Sequence, residues 1–191
     1  TESLKGGGVG VFTTDTVYGL GGRADKLSVI RKIYRLKKRD KNKPLLILVS
    51  SVAMAKRYVK INKKQELLLK KYWSAQAYGG ADKSGALTAV LEDKKILPKE
   101  LSNNTGKIGV RLPDNKFLLN IIKKLQVPLI ATSANISGQR SALDVKNIKV
   151  KADFIVDGGK LLKSKESTVV DLTGEEIKIL RQGDLKIKVI I

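Results

Sequence analysis

The sequence predicts one α/β domain built on a mixed sheet, and three observations carry that expectation. Short apolar runs of strand length alternate with segments of helical period along the whole chain. Polar, glycine-containing stretches fall where the strands end, which is where α/β sheets hold ligands. The length of 191 residues and the 42% hydrophobic content suit one core and leave little for a second, so one domain over residues 1–191 is expected.

The elements follow in order. Gly8 to Phe12 is a short apolar strand, and Lys26 to Lys38 a helix with Leu27, Ile30, Ile33 and Tyr34 on one face. Pro44 opens Leu45 to Val49, a run with the character of a buried strand. Ser50 to Tyr58 and Asn62 to Trp73 are two helices, each opened by a capping-type residue. Ala86 to Leu91 and Lys107 to Arg111 are strands. Asp114 is the expected cap of a helix reaching Leu125, with Phe117, Leu118, Ile121, Ile122 and Leu125 inward. Val127 to Ala131 is a strand feeding the polar turn Thr132 to Gly138. Phe154 to Val156, Thr168 to Val170 and Ile177 to Leu180 complete the strands, and Leu185 to Ile191 is either an edge strand or a disordered end.

Composition narrows the chemistry. Cysteine and histidine are both absent, which excludes disulfides, thiolate nucleophiles, imidazole bases and His- or Cys-ligated zinc. Reactions that depend on positioning and charge neutralisation, such as nucleotidyl transfer, pass this filter best. The net charge of +20 favours polyanionic partners such as nucleotides or RNA, although a lysine-rich surface spread along the chain is an equal reading of the excess. No apolar run approaches the roughly 20 residues of a membrane span. The opening residues lack a signal-peptide pattern, and a cysteine-free chain suits a reducing compartment. A cytoplasmic location and no membrane partner are therefore expected.

Four polar stretches are candidates for the site. The first, Thr14-Asp15-Thr16-Val17-Tyr18-Gly19-Leu20-Gly21-Gly22, offers hydroxyls and a glycine-rich turn, and an ordinary turn is its simpler reading. The second runs from Arg31 to Lys43, where eight basic residues meet one acid, Asp40. Bound phosphate would relieve the mutual repulsion of those cations, although a basic helix end also complements the helix dipole. The third, Gly109-Val110-Arg111-Leu112-Pro113, ends an apolar strand on an arginine suited to a bidentate clamp on carboxylate or phosphate; an edge-strand surface arginine is as good a reading. The fourth, Ala131 to Gly138, places small hydroxyls and an amide after a buried strand, where internal turn bonding is the alternative.

In combination these stretches resemble the YrdC-like family. Thr14 to Leu20, Lys37-x-Arg39, Val110-Arg111-x-Pro113 and Ser133-Ala134-Asn135-x-Ser137-Gly138 occur in the family's order and spacing. Ser167-Thr168-Val169-Val170-Asp171 and Ile179-Leu180-Arg181-Gln182-Gly183 resemble its closing motifs. The resemblance implies an open, twisted sheet with flanking helices around a large positively charged cavity. It implies synthesis of threonylcarbamoyl-AMP from L-threonine, bicarbonate and ATP, with magnesium accompanying the ATP and no tightly bound metal. The product would supply a threonylcarbamoyl-transfer complex that modifies adenosine 37 of tRNA.

By motif matching, Lys37 and Arg39 are the catalytic candidates. Arg39, Lys43, Lys107, Asn135, Ser141 and Arg181 are the ATP-binding candidates, and Thr14, Thr16, Arg111, Ser133 and Ser167 surround threonine. The chain departs from the family where Ser74 to Lys83 follow Trp73, and Leu48 stands where many longer relatives carry a histidine. It resembles the short form, without the longer relatives' C-terminal domain. Two alternatives remain on sequence grounds: a module whose basic cavity binds tRNA or double-stranded RNA with little catalysis, and a related carbamoyl-adenylate-handling domain.

Overall fold

Three of the helices begin where a polar side chain takes over an otherwise unpaired backbone donor. In the computed structural model, which describes residues 1–77, 86–162 and 165–187, the Ser51 hydroxyl accepts the Met54 N–H at 3.0 Å. Asn62 and Gln65 cap each other reciprocally, each side-chain oxygen accepting the other's backbone N–H at 2.8 Å. The expected cap at Asp114 falls instead on Asn115, whose extended backbone lets its side chain accept the Leu118 N–H at 3.1 Å.

In chain order the elements are α1 (Glu2–Lys5), β1 (Gly10–Thr13), β2 (Tyr18–Arg23), α2 (Leu27–Lys37), β3 (Leu46–Leu48), α3 (Val52–Tyr58), α4 (Lys63–Ala77) and β4 (Leu87–Glu92). There follow α5 (Lys99–Ser102), β5 (Lys107–Arg111), α6 (Lys116–Leu125), β6 (Leu129–Ser133), β7 (Phe154–Ile155), β8 (Thr168–Asp171) and β9 (Lys178–Arg181). The strands form one open mixed sheet in the order β7-β1-β2-β6-β3-β5-β4-β8-β9. β7 with β1, β3 with β5 and β4 with β8 run parallel, and the other neighbours are antiparallel.

The expected helices and most strands stand close to their predicted places. On α2 the buried face is Val29, Ile30, Ile33 and Tyr34, with Leu27 partly exposed. On α6, Leu118, Ile122 and Leu125 are buried while Phe117 is exposed, because it sits on the helix's outer side in the first turn. The short helices α1 and α5 carry too little periodicity to be read beforehand. Residues 78–83 of the altered stretch after Trp73 lie outside the described residues, as do residues 188–191 of the C-terminal segment.

β2 is the main correction. The glycine-rich Tyr18 to Gly22 is not a turn: Thr14 to Val17 makes the turn, and Tyr18–Arg23 is a buried strand between β1 and β6. Its glycines serve close approach. A Cβ on Gly21 would lie 1.9 Å from the Ile130 carbonyl oxygen and 2.8 Å from the Phe12 ring.

The sheet has two unlike faces, as its period of two requires. Ile47, Ala89, Leu91, Ile108, Val110, Ile130 and Val170 form one face, fully buried in the core. Their alternating neighbours face the other way and carry the site.

The Gly21→Ala variant is expected to lose about 3 kcal/mol of stability, the range for forcing extra volume into a packed interior. Gly174→Ala, whose Cβ meets nothing closer than 3.8 Å, is the control; comparison of urea unfolding midpoints checks this.

Candidate active site

The second face of the sheet is the floor of a cleft of about 740 Å³, within the usual size of small-molecule sites. Two rows of register-matched residues cross it. Arg181, Val169, Thr88, Arg111 and Leu48 lie side by side on β9, β8, β4, β5 and β3. Beside them run Asp171, Val90, Gly109, Leu46 and Ala131. Lys107 lies one step further along β5 and Ser133 one step further along β6. The turn after β1 brings Thr14 and Thr16 to the rim, and the loop after α2 brings Arg39 and Lys43. The centre of the floor is therefore apolar and its borders are cationic and hydroxylic.

Arg111 is 6% exposed. Its Nη2 donates to Asp15 Oδ1 at 2.6 Å, and both terminal nitrogens reach the Thr16 hydroxyl at 3.3 Å. Thr14 shapes the turn that presents these partners: its hydroxyl donates to the Val17 carbonyl at 2.7 Å and accepts the Thr16 and Val17 N–H groups. Arg39 donates from Nε to the Lys43 carbonyl at 3.1 Å and from Nη2 to the Pro44 carbonyl at 3.0 Å, which fixes the basic loop against the start of β3. Burial lowers the Arg39 pKa from its ordinary value, yet an arginine retains its charge.

Lys107 pairs with Asp171 at 3.0 Å. Burial raises the Asp171 pKa, but hydrogen bonds from Thr173 and Lys107 outweigh it and hold the carboxyl below its usual value. Arg181 donates to the Ser167 carbonyl at 3.0 Å and hydroxyl at 3.1 Å and pairs with Glu166. The Ser167 hydroxyl also shares a hydrogen bond with Thr88 at 2.8 Å.

Of the predicted residues, Thr14, Thr16, Arg39, Lys43, Lys107, Arg111, Ser133, Ser167 and Arg181 come together around this cleft. Asn135 and Ser141 line a neighbouring pocket of about 710 Å³ instead. Lys37 lines neither: it is 1% exposed, and its ammonium donates to the Ser133 carbonyl and to the Asn135 carbonyl and side-chain oxygens at 2.7 and 3.0 Å. In this geometry it is a tether, not a phosphate contact. Burial, reinforced by the nearby Arg39 charge, lowers its pKa to about 8. Sequence reading missed Glu166, Thr88 and the pairing role of Asp171. Glu166 directly precedes a recognised motif, but nothing in its type signals contact with Ser141 or Arg181. Among the described residues no group of three or more Asp or Glu is placed to hold a metal.

The fold and cleft together define a class: an open mixed-sheet α/β domain with helices on one face and an anion-suited cleft on the other. The chain belongs to the family of Sua5, YciO and YrdC, described as telomere recombination, whose profile matches residues 2–183. It is 31% identical over 190 residues to the threonylcarbamoyl-AMP synthase of Pyrococcus abyssi, spanning 97% of this chain and 53% of that one. It is 32% identical over 192 residues to the putative threonylcarbamoyl-AMP synthase of Methanocaldococcus jannaschii, spanning 98% and 85%. The crystal structure of P. abyssi Sua5 complexed with L-threonine matches with a TM-score of 0.83 at 30% identity, covering 95% of this chain and 52% of that one. The chain thus spans about half the length of the Pyrococcus relative.

Lys37→Met is expected to cost about 1–3 kcal/mol, because it leaves buried oxygens without their donor. The pH dependence has a definite sign. Between pH 8 and the ordinary lysine value of 10.5 the unfolded chain holds a proton that the folded chain has released, so the lysine makes stability rise with pH there. Denaturant titrations of both proteins across that window should show the rise in the wild type relative to Lys37→Met.

Proposed function

We propose that this chain is an L-threonylcarbamoyladenylate synthase, joining L-threonine, bicarbonate and ATP into threonylcarbamoyl-AMP with release of pyrophosphate. The observation that carries this reading is the convergence, on one sheet face, of the motif residues for both an amino acid and a nucleoside triphosphate. The relatives named threonylcarbamoyl-AMP synthase support the same product, and the complex of Sua5 with L-threonine supports that substrate.

The chemistry suits a site without histidine. Threonine's amine and bicarbonate give a carbamate and water; a carbamate oxygen then attacks the α-phosphorus, and the bond to the bridging oxygen of pyrophosphate breaks. Bringing the reactants together and neutralising phosphate charge are what a cationic cleft can supply. Arg111, oriented by Asp15 and Thr16, is placed to take the threonine carboxylate, beside Ser133, Ser167 and Thr14. Leu48, next to Arg111 across the β3–β5 register, gives that end an apolar wall. Arg39, Lys43 and Lys107 face the phosphates, and Arg181, Asn135 and Ser141 also lie on the nucleotide side. The catalytic assignment rests on Arg39, while Lys37 acts by holding the Ser133–Asn135 backbone.

The cleft carboxylates Asp171 and Glu166, and Asp15 behind Arg111, are each paired with a cation, which fits magnesium arriving with the triphosphate and not held by the protein alone. When bound, that ion would share the neutralisation of phosphate charge. The product fits a downstream complex that transfers the threonylcarbamoyl group to adenosine 37 of tRNA in the cytoplasm. No helix among the described residues is long and apolar enough to cross a membrane.

Purified protein with ATP, magnesium and bicarbonate should release pyrophosphate only when L-threonine is added; threonine-independent release overturns the reading. Arg111→Lys, which keeps a charge facing Asp15 but loses the planar fork, should raise the KM for threonine about tenfold or more. Its KM for ATP should stay within about twofold. Steady-state kinetics with each substrate varied in turn checks the split.

A further inference from the structure

Two of the residues assigned to the nucleotide, Asn135 and Ser141, face a pocket next to the cleft and not the cleft itself. Glu166 accounts for the separation. Its side chain lines the cleft, and one carboxylate oxygen accepts the Ser141 hydroxyl at 2.7 Å. The other pairs with Arg181. The resulting Ser141–Glu166–Arg181 bridge runs from the loop after β6 to the edge strand β9, elements on opposite sides of β3, β5, β4 and β8 in the sheet. It forms the seam between the two pockets, and it occupies one hydroxyl and one guanidinium with a carboxylate of the protein's own.

Three observations indicate that this carboxylate is held to be displaced. First, the pair is accessible: the side chains of Arg181 and Glu166 are 43% and 38% exposed, and ion pairs so exposed contribute little to stability. Second, Arg181 stays anchored without Glu166, through its two bonds to Ser167. Third, the charge of Glu166 reaches the other cations. Burial lowers the pKa of both Lys37 and Arg39, and Glu166 is an acid that opposes that shift in each case. A negative group so placed is a counter-ion for the region that, on the proposed function, receives a polyanion.

We propose that Glu166 is a place-holding anion: in the free protein it bridges Ser141 and Arg181, and nucleotide phosphate displaces it and joins the two pockets into one site. This rests on the ATP reading of the cleft and adds a residue that sets nucleotide affinity. The two states share the same donors, so Glu166 and the phosphates compete, and the coupling between them is reciprocal.

The test is equilibrium binding of ATP and of adenosine to the wild type and to Glu166→Gln by calorimetry. The amide keeps an acceptor for Ser141 and removes the charge, so ATP should bind roughly two- to fivefold more tightly to the variant, the scale of one exposed ion pair. Adenosine, which lacks phosphate, should bind both proteins equally. Unchanged or weaker ATP binding by the variant overturns the proposal, and weaker binding of adenosine as well would identify Glu166 as an acceptor for ribose hydroxyls. A gain of equal size for adenosine also overturns it, because the gain would not be one of charge. ATP binding by neither protein would overturn the functional reading itself, an outcome distinct from normal wild-type binding with no effect of the variant.

Discussion

The cleft depends on one buried ammonium. Lys37 ends α2, and its side chain is held by the carbonyl oxygens of Ser133 and Asn135 and by the Asn135 amide oxygen. The Lys37 carbonyl in turn accepts the Ser137 N–H at 2.9 Å. These contacts join the end of a helix to the end of a central strand, so the basic loop that follows α2 and the polar loop that follows β6 are set against each other. A lysine does this because its three donors can meet three oxygens that the irregular chain after β6 leaves pointing inward. The cost is a desolvated charge, visible as a lowered pKa, and the return is a fixed relation between Arg39 on one side and Ser133 and Asn135 on the other.

The same division of labour runs across the sheet. Apolar residues at alternate positions fill the core, and the intervening positions are free for function. Along the cleft those positions are not simply cationic: Arg111, Lys107 and Arg181 each meet a carboxylate. Pairing holds the cations in place and limits their mutual repulsion before a ligand arrives. The pairs are unequal. Arg111 with Asp15 is buried and serves to orient, whereas Arg181 with Glu166 is exposed and exchangeable.

Legibility in the sequence followed the strength of local patterning. β3, β5 and the longer helices were readable because their apolar period is continuous, reinforced at α3, α4 and α6 by polar capping residues. β2 was not, since Tyr18 to Gly22 has the composition of a turn; Gly21 is there for the Ile130 backbone and the Phe12 ring, and Gly22 for Val29 and the Gly8 backbone, neighbours brought close only by folding. Among the site residues, Arg39, Lys43, Lys107 and Arg111 could be found from their motifs. The buried position of Lys37 could not, because a lysine in a basic run gives no local sign that it turns inward.

The sequence by itself determined a histidine- and cysteine-free α/β chain, the alternation that makes a two-faced sheet, and the motif residues of the cleft. These are properties of residue type and spacing, which the linear chain carries. Only the tertiary structure decided that Lys37 is a tether, that Asn135 and Ser141 lie beyond a seam, and that Glu166 closes it. Each of those depends on contacts between residues far apart in the chain, between 25 and 98 positions in the bonds of Ser141 and Lys37, and no local pattern encodes a partner at that distance.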